Sequence, residues 1–335
     1  MSKFRRYWFA LHPDLNRPIG GIKQVHRLAE CITDLGREAI LIQDSADFHP
    51  GWFESNVKTI SHHNWLQLSD LNPNYDVLVL PETFLPGLLS YDKTLPKIIF
   101  NQNGAYSFGL SSSKPFNPSE ILKLYQSNAV SHVFCVSQHD FSLLTSGFSL
   151  PDSKVSLIVN ALETDIFYMP TKKKRQIAFM PRKNAVDSRI VSSLVGDHSW
   201  FKDWSFAPIV NCSQKQVAYT LQESLLFFSF GHPEGFGLPV AEALACGCGL
   251  IGYSGLGGRE LFSLSKKYQI SDEVAFGDWY GFVDSTFRFI SAFDQQPKRI
   301  FTSLRDCSFS IRSTYAQEAM LSSVDMALSR YEASF

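Results

Sequence analysis

The chain has 335 residues, of which 44% are hydrophobic and 19% charged, and its formal net charge is -1. This composition is typical of ordinary globular domains, and the length gives an expectation of about two of them. A nearly balanced charge argues against the strongly basic surface by which many proteins bind nucleic acids. The six cysteines form no C-x-x-C pair, which argues against zinc-ribbon and thioredoxin-type sites.

No stretch of the sequence approaches the ~18 apolar residues that a membrane-spanning helix needs. The first apolar run, at 7–11, is too short for a secretory signal segment. We therefore expect a cytoplasmic protein. A run of basic residues at 172–175 is typical of a solvated linker, although such a run also favours the anionic inner face of a membrane.

Short apolar runs alternate with amphipathic helical patterns along most of the chain. The sequence predicts strands at 7–11, 38–43, 76–82, 97–103, 132–137, 154–160, 177–181, 204–211, 225–230 and 249–254. It predicts helices at 21–36, 119–128, 138–147, 185–196, 215–224, 238–246 and 313–331. Alternation of this kind predicts parallel sheets covered by helices.

A proline and a run of basic residues interrupt this pattern between 161 and 176, and the alternation then starts again. We therefore predict an α/β protein with two doubly wound, Rossmann-like domains, residues 1–165 and 166–311. Ligands bind such sheets at the carboxyl ends of the strands. The segment 312–335 should pack as an amphipathic helix. Its apolar stripe consists of Tyr315, Ala319, Met320, Val324, Ala327 and Leu328.

The segment from 225 to 246 places two acids around a glycine-rich turn. A predicted strand is followed by Gly-His-Pro-Glu-Gly-Phe-Gly and then by a helix that starts at Leu238. Glycines let a ligand approach the backbone, and a helix N-terminus favours anions such as diphosphates. Glu234 in the turn and Glu242 in the helix could accept hydrogen bonds from sugar hydroxyls. Alternatively, Glu242 complements the helix dipole and Glu234 is a solvated loop charge.

The continuous stretch 233–247 resembles the E-x7-E signature of glycosyltransferase family 4, whose members are retaining enzymes of the GT-B fold. Weaker likenesses are found at 255–260, similar to a Gly-Gly-x-x-Glu turn, and at 17–39, similar to the family's N-terminal Gly-Gly loop and helix. The resemblance implies two Rossmann-like domains facing each other across a cleft. The acceptor side would be the N-terminal domain, the C-terminal domain would bind the donor, and the helix at 312–335 would cross back to the N-terminal domain.

The resemblance also implies roles for individual residues. Glu234 would bind hydroxyls of the donor sugar, Glu242 would hold the ribose, and Arg182 would contact the diphosphate. The other donor-binding residues that it implies are Gly20, Gly21, Lys183, Gly235, Phe236, Gly237 and Leu238.

The sequence departs from the family pattern where a second cation is usual. A lysine about five residues after the arginine is common in the family, but Asp187 stands there. The role of that lysine is taken by Lys183, by Arg189 or by no residue of this chain.

A second departure lies in the N-terminal half, where the family's usual histidine is replaced by the run Asn101-Gln102-Asn103 at a strand end. These amides can bind a sugar or an acceptor but cannot act as a strong base. We therefore assign Asn103 as a third catalytic candidate, beside Glu234 and Arg182. The amides are compatible with a front-face retaining mechanism, in which the leaving phosphate takes the proton of the acceptor.

No metal and no cofactor are expected, because basic groups and helix N-termini can neutralise a diphosphate and the sequence contains no Asp-x-Asp. His12 and His232 each follow a predicted strand, and each either lines the cleft or caps a turn.

The leading hypothesis is a retaining glycosyltransferase that moves a hexosyl or related group from a nucleotide-diphosphate sugar to an acceptor hydroxyl. The acceptor would be a glycan or a lipid-linked sugar, in the synthesis of a polysaccharide or glycolipid. Peripheral association with a membrane is compatible with this hypothesis, and a nucleic-acid partner is not. The alternatives are a non-catalytic nucleotide-sugar-binding scaffold, an inverting GT-B transferase and a nucleotide-sugar epimerase.

Overall fold

The computed structural model of the chain describes residues 5–11, 14, 18–91, 94–110 and 115–334. His12 therefore lies outside the described residues. The chain forms two compact units, one of Met1–Asn160 with Glu318–Phe335 and the other of Ala161–Gln317. Each unit is built around a parallel β-sheet.

The sheet of the first unit has the strand order β3-β2-β1-β4-β5-β6-β7, and all its neighbouring pairs are parallel. Its strands are β1 (Arg6–Ala10), β2 (Glu38–Gln43), β3 (Lys58–Ser61), β4 (Asp76–Pro81), β5 (Lys97–Asn101), β6 (Val130–Cys135) and β7 (Val155–Leu157). Every residue of β4 and β5 is buried. Because successive side chains of a strand point to opposite faces, these central strands are covered on both faces.

The helices of the first unit include one from the far end of the chain. They are α1 (Gly20–Asp34), α2 (His62–Leu66), α3 (Pro118–Gln126), α4 (Gln138–Ser142) and α11 (Gln317–Glu332), with 3₁₀ segments at Glu82–Ser90 and Gly104–Phe108. Near the end of α11, the carboxylate of Glu332 accepts two hydrogen bonds from Arg37, each of 2.9 Å, and one of 2.8 Å from the hydroxyl of Tyr7. The N–H of Val159 also donates to Oγ of Ser323 at 3.0 Å. These bonds attach α11 to the first unit.

The second unit has a sheet of five strands in the order β12-β11-β10-β8-β9, with parallel pairing throughout. Its strands are β8 (Lys174–Phe179), β9 (Ser205–Pro208), β10 (Ser224–Ser229), β11 (Gly249–Gly252) and β12 (Ser271–Glu273). Its helices are α5 (Ala185–Gly196), α6 (Gln214–Glu223), α7 (Leu238–Ala245), α8 (Arg259–Lys266), α9 (Trp279–Gln295) and α10 (Pro297–Thr314). The apolar run of β10 is wholly buried at the centre of the sheet, as expected for a strand covered on both faces.

The structure confirms the predicted α/β class with its two parallel sheets. Sequence patterns missed β3 and β12, which are short strands at sheet edges with few apolar residues. They also missed the helices α2, α8, α9 and α10. The helix predicted over 313–331 is confirmed as α11 from Gln317 onward, but its predicted start was wrong, because α10 continues to Thr314. Tyr315 lies between the two helices, so it is not part of the stripe of α11. The other predicted apolar positions from Met320 onward are buried, namely Met320, Val324, Ala327 and Leu328.

Candidate functional site

The loop between β10 and α7 is fixed by backbone hydrogen bonds to the turn that follows β11. The N–H of Glu234 donates to the carbonyl of Gly255 at 2.7 Å, and the N–H of Gly257 donates to the carbonyl of Glu234 at 3.0 Å. A side chain on Gly257 would overlap the carbonyl of Gly235, so this close approach requires glycine. Gly237, with a φ of 91°, lets α7 begin at the next residue. Together these features hold Glu234 at the carboxyl end of β10.

Glu234 forms an ion pair with Lys183, which belongs to the turn after β8. The Nζ atom of Lys183 lies 2.8 Å from Oε1 of Glu234 and donates to the carbonyl of Pro233 at 3.1 Å. The side chains of Lys183 and Glu234 are 26% and 19% exposed, so a ligand can reach the pair from solvent. Of the alternatives considered for the second cation, Lys183 is therefore the one beside Glu234.

Asn184 links the same two loops and was not identified as a site residue from the sequence. Its Nδ2 atom donates to the carbonyl of Phe230 at 2.7 Å and to that of His232 at 3.2 Å. Its φ of 52° places it in the left-handed region, which asparagine tolerates better than most residues. The neighbouring Arg182 is exposed and forms no ion pair with any residue that the structure describes. Its guanidinium is thus available to an anion.

Position 187, where the resemblance suggested a lysine, holds an aspartate that makes a different contact. Asp187, on α5, accepts a hydrogen bond of 2.8 Å from the hydroxyl of Tyr253, at the end of β11. Burial, followed by this hydrogen bond, raises the pKa of Tyr253 above its ordinary range. Arg189, the other candidate cation, is exposed on α5. Asp187 therefore bonds α5 to the residue that follows β11 and supplies no cation.

Two predicted donor-binding residues, Phe236 and Glu242, have buried side chains. The ring of Phe236 is 4% exposed and packs edge-on against Tyr315, with 5.1 Å between ring centroids. Only the backbone of Phe236 is therefore left to contact a ligand. Glu242 lies on α7 with 7% of its surface exposed. Its carboxylate is largely enclosed by protein, and its role in holding a ribose stays a prediction.

In the first unit, the predicted Gly-Gly loop forms the start of α1. Gly20 and Gly21 are its first two residues, and the preceding Ile19 provides no side-chain cap for the helix amides. A Cβ atom on Gly21 would lie 3.2 Å from Oε1 of Gln102, so the Gln102 amide lies beside this helix N-terminus. The uncapped N–H groups and the helix dipole together favour an anion at this end.

Two of the three amides at the end of β5, those of Asn101 and Asn103, have structural partners. Asn101 is fully buried, donates to Oδ2 of Asp140 at 3.2 Å and accepts from the hydroxyl of Tyr125 at 2.9 Å. Asn103 is 5% exposed, and its side-chain oxygen accepts the N–H of Ala105 at 3.2 Å, which caps the following 3₁₀ segment. The sequence predicted that these amides face a ligand. A catalytic role for Asn103 stays a prediction. In that role its side-chain oxygen would also keep the hydrogen bond from the N–H of Ala105.

Two buried carboxyl groups beneath these amides were missed by the sequence analysis. The carboxylate of Glu82 accepts the N–H of Gln102 at 3.1 Å, and Asp140 accepts the N–H of Gly104 at 3.3 Å. Burial raises the pKa of Glu82 to about 8 and that of Asp140 to about 7. Their positions in the sequence could have identified them as site candidates, because each acid follows a strand of the sheet. Glu82 comes directly after β4, and Asp140 comes shortly after β6.

Within the described ranges, no group of three or more His, Cys, Asp or Glu side chains is arranged to hold a metal ion. Among the same residues, no helix has both the length and the apolar character required to cross a bilayer.

The sequence matches no family model. One curated relative, an α-1,6-glucosyltransferase from Actinobacillus pleuropneumoniae serotype 7 (strain AP76), is 28% identical over 214 residues. The match covers 62% of this chain and 59% of the relative, so the chain spans about three fifths of that protein's length.

Solved structures resemble the chain over nearly its whole length. The UDP-glucose complex of HepE from Anabaena has a TM-score of 0.69 at 12% identity and covers 97% of this chain and 99% of that one. Sucrose-phosphate synthase from Thermosynechococcus elongatus has a TM-score of 0.68 at 12% identity, with coverages of 99% and 100%. WaaG, a glycosyltransferase involved in lipopolysaccharide biosynthesis, has a TM-score of 0.62 at 11% identity, with coverages of 96% and 99%. At such low identities these likenesses show the fold alone, and the chain has a GT-B fold with two parallel-sheet α/β units.

Proposed function

We propose that the chain is a retaining glycosyltransferase that transfers a sugar from a nucleotide-diphosphate sugar to an acceptor hydroxyl. The observation that carries the proposal is the position of Glu234. A carboxylate paired with Lys183 stands in a glycine-rich loop at the carboxyl end of β10, where parallel sheets bind their ligands. The 28% identity to an α-1,6-glucosyltransferase supports the same reaction class.

In this proposal the second unit binds the donor through groups of complementary chemistry. The carboxylate of Glu234 accepts hydrogen bonds from hydroxyls of the donor sugar, since a carboxylate is an acceptor with several lone pairs. The cations Arg182 and Lys183 neutralise the diphosphate, and Glu242 holds the ribose. The amides of Gly20 and Gly21 are the contribution that we propose for the first unit.

The proposed reaction proceeds on one face of the sugar. The bond between C1 and the diphosphate oxygen breaks, and the acceptor oxygen forms a new bond to C1 on the same face. The departing phosphate oxygen takes the proton of the acceptor, so the reaction needs no strong protein base. The cations stabilise the charge that develops on this leaving group. Asn103 enters the proposal as a hydrogen-bonding group and not as a base.

UDP-glucose is the first donor to test. HepE was solved in complex with UDP-glucose, and the curated relative is named as a glucosyltransferase. We propose a glycan or a lipid-linked sugar as the acceptor, in polysaccharide or glycolipid synthesis, and no metal ion as cofactor.

The experiment compares Glu234→Gln with the wild type in two assays, donor hydrolysis without acceptor and glucosyl transfer to an acceptor glycan. A hydrogen bond to a charged group contributes about 1.5–3 kcal/mol, so kcat/KM should fall about 10- to 150-fold. Glu318→Gln is the matched control, because Glu318 is an exposed glutamate on α11, and it should leave both rates unchanged. NMR of the product should show the α-linkage expected of retention.

Equal kcat/KM values for Glu234→Gln and the wild type would show that Glu234 does not bind the donor sugar. A wild-type protein that binds UDP-glucose but neither hydrolyses nor transfers glucose would instead be a nucleotide-sugar-binding scaffold. A β-linked product would make the enzyme an inverting transferase.

A further inference from the structure

The second unit contains a pocket that the proposed donor-binding residues do not account for. It has a volume of about 680 Å³ and lies between α8 and the segment formed by β12 and the loop after it. Volumes of ~300–1,000 Å³ are usual for sites that bind small molecules. The residues that matter for its chemistry are His232, Arg259, Lys266, Asp272, Glu273 and Phe276.

The charges that line the pocket are balanced. Arg259 and Lys266, on α8, carry positive charges, and Asp272 and Glu273, on β12, carry negative charges. Arg259 and Lys266 are exposed, and neither forms an ion pair with a described residue. Arg288 contacts Asp272 at 2.9 Å, but its own charge is also matched by Asp284. One wall therefore offers hydrogen-bond donors and the other acceptors, without the excess positive charge that would select an anion.

An aromatic surface forms another part of the pocket. The rings of His232 and Phe276 are stacked, with 4.3 Å between centroids and 19° between planes, and Tyr253 packs edge-on against Phe276 at 5.1 Å. Phe276 is 56% exposed although it belongs to this ring cluster. Burial, and then the charge of Arg259, lower the pKa of His232, which disfavours its charged form. The exposed part of the Phe276 ring is apolar and uncharged, which suits stacking against the apolar face of a ligand.

We propose that this pocket is an additional subsite on the donor-binding unit for neutral sugar residues of the acceptor glycan, other than the residue that reacts, whose expected side is the first unit. This inference rests on the proposed function, which names a glycan as the acceptor. Sugar rings combine an apolar face, which stacks on aromatic rings, with hydroxyls that both donate and accept hydrogen bonds. Gly255 and Leu256, in the turn after β11, line the pocket. The carbonyl of Gly255 accepts a hydrogen bond from the N–H of Glu234. A glycan in the pocket is therefore held by the same backbone as the proposed donor-sugar ligand Glu234.

The test measures sugar binding to the full chain without donor, by isothermal titration calorimetry with isomaltotriose, a neutral chain of α-1,6-linked glucose. The curated α-1,6-glucosyltransferase relative motivates this probe. Binding with a millimolar dissociation constant is expected, and Phe276→Ala should weaken it about tenfold. Phe309→Ala is the matched control, because Phe309 is a 72% exposed phenylalanine on α10, outside this pocket. The control should bind isomaltotriose like the wild type.

Binding of UDP to each variant, measured in parallel, shows whether its second unit is folded and its donor site intact. Equal affinities of Phe276→Ala and the wild type for isomaltotriose would overturn the proposal. So would the absence of binding at ~20 mM isomaltotriose, or a Phe276-dependent site that prefers glucose 1-phosphate to the neutral sugar. If UDP-glucose does not bind while isomaltotriose does, the proposed function fails and the glycan pocket remains.

Discussion

Replacing Glu332 with alanine removes the carboxylate that accepts hydrogen bonds from Arg37 and from the Tyr7 hydroxyl. The side chain of Arg37 is only 5% exposed, so its charge would stay buried, although Asp325 would still lie 3.6 Å away. Removing one partner of a buried ion pair costs about 3–5 kcal/mol. Because Asp325 retains part of the attraction, we expect the first unit to lose about 3 kcal/mol of unfolding free energy.

Urea unfolding followed by circular dichroism measures this loss. With a slope of ~2–3 kcal/mol per molar urea, the transition of the first unit should shift down by about 1 M. The matched control is Asp306→Ala, which removes an exposed ion pair with Arg305, the two side chains being 50% and 69% exposed. Exposed pairs contribute about 0–1 kcal/mol, so the control should unfold almost like the wild type. An unchanged midpoint for Glu332→Ala, or an equal shift in both variants, would refute the reasoning.

Three further predictions concern the proposed site. Lys183→Ala should raise the KM for UDP-glucose in steady-state kinetics, because the cation beside Glu234 is lost, and an unchanged KM would contradict this role. Activity should survive dialysis against EDTA, and a loss reversed only by Mn²⁺ or Mg²⁺ would show that a metal is needed. From their ordinary values of 4.5 and 3.8, the pKa values of Glu82 and Asp140 are raised to about 8 and about 7. Between the ordinary and raised values the folded chain binds more protons than the unfolded chain, so stability falls as the pH rises through this window. Glu82→Gln should flatten this fall in a series of Tm measurements, and a profile parallel to that of the wild type would exclude titration of Glu82.

The strands at the centre of each sheet were predictable because they are continuous apolar runs. The runs predicted at 76–82 and 225–230 became β4 and β10, which are wholly buried. β3 and β12 were not predictable in this way, because an edge strand has a neighbour on one side only and needs fewer apolar residues. Their pairing partners in β2 and β11 lie 18 and 21 positions earlier in the chain, outside the window of a local pattern.

In the candidate site, the local pattern revealed the loop and the helix that carry Glu234, because glycines and a proline in the first turn are sequence signals. The partners of that residue were harder to predict. Lys183 is 51 positions before Glu234, and three outcomes for the second cation were compatible with the sequence. The cap made by Asn103 and the hydrogen bonds of Asn184 arise from backbone positions that no periodicity reveals.

The bond between Arg37 and Glu332 has a consequence for synthesis on the ribosome. The two residues are 295 positions apart, and the whole second unit is translated between them. At about 5–20 residues per second, Glu332 is synthesised roughly 15–60 s after Arg37. During that interval the nascent first unit lacks α11, so apolar surface that α11 later covers is open to chaperones and to neighbouring nascent chains. The first unit begins the chain, but the sequence of the second unit is complete earlier, because the first unit also needs Glu318–Phe335. If each unit folds once its sequence is complete, the second unit folds before the first.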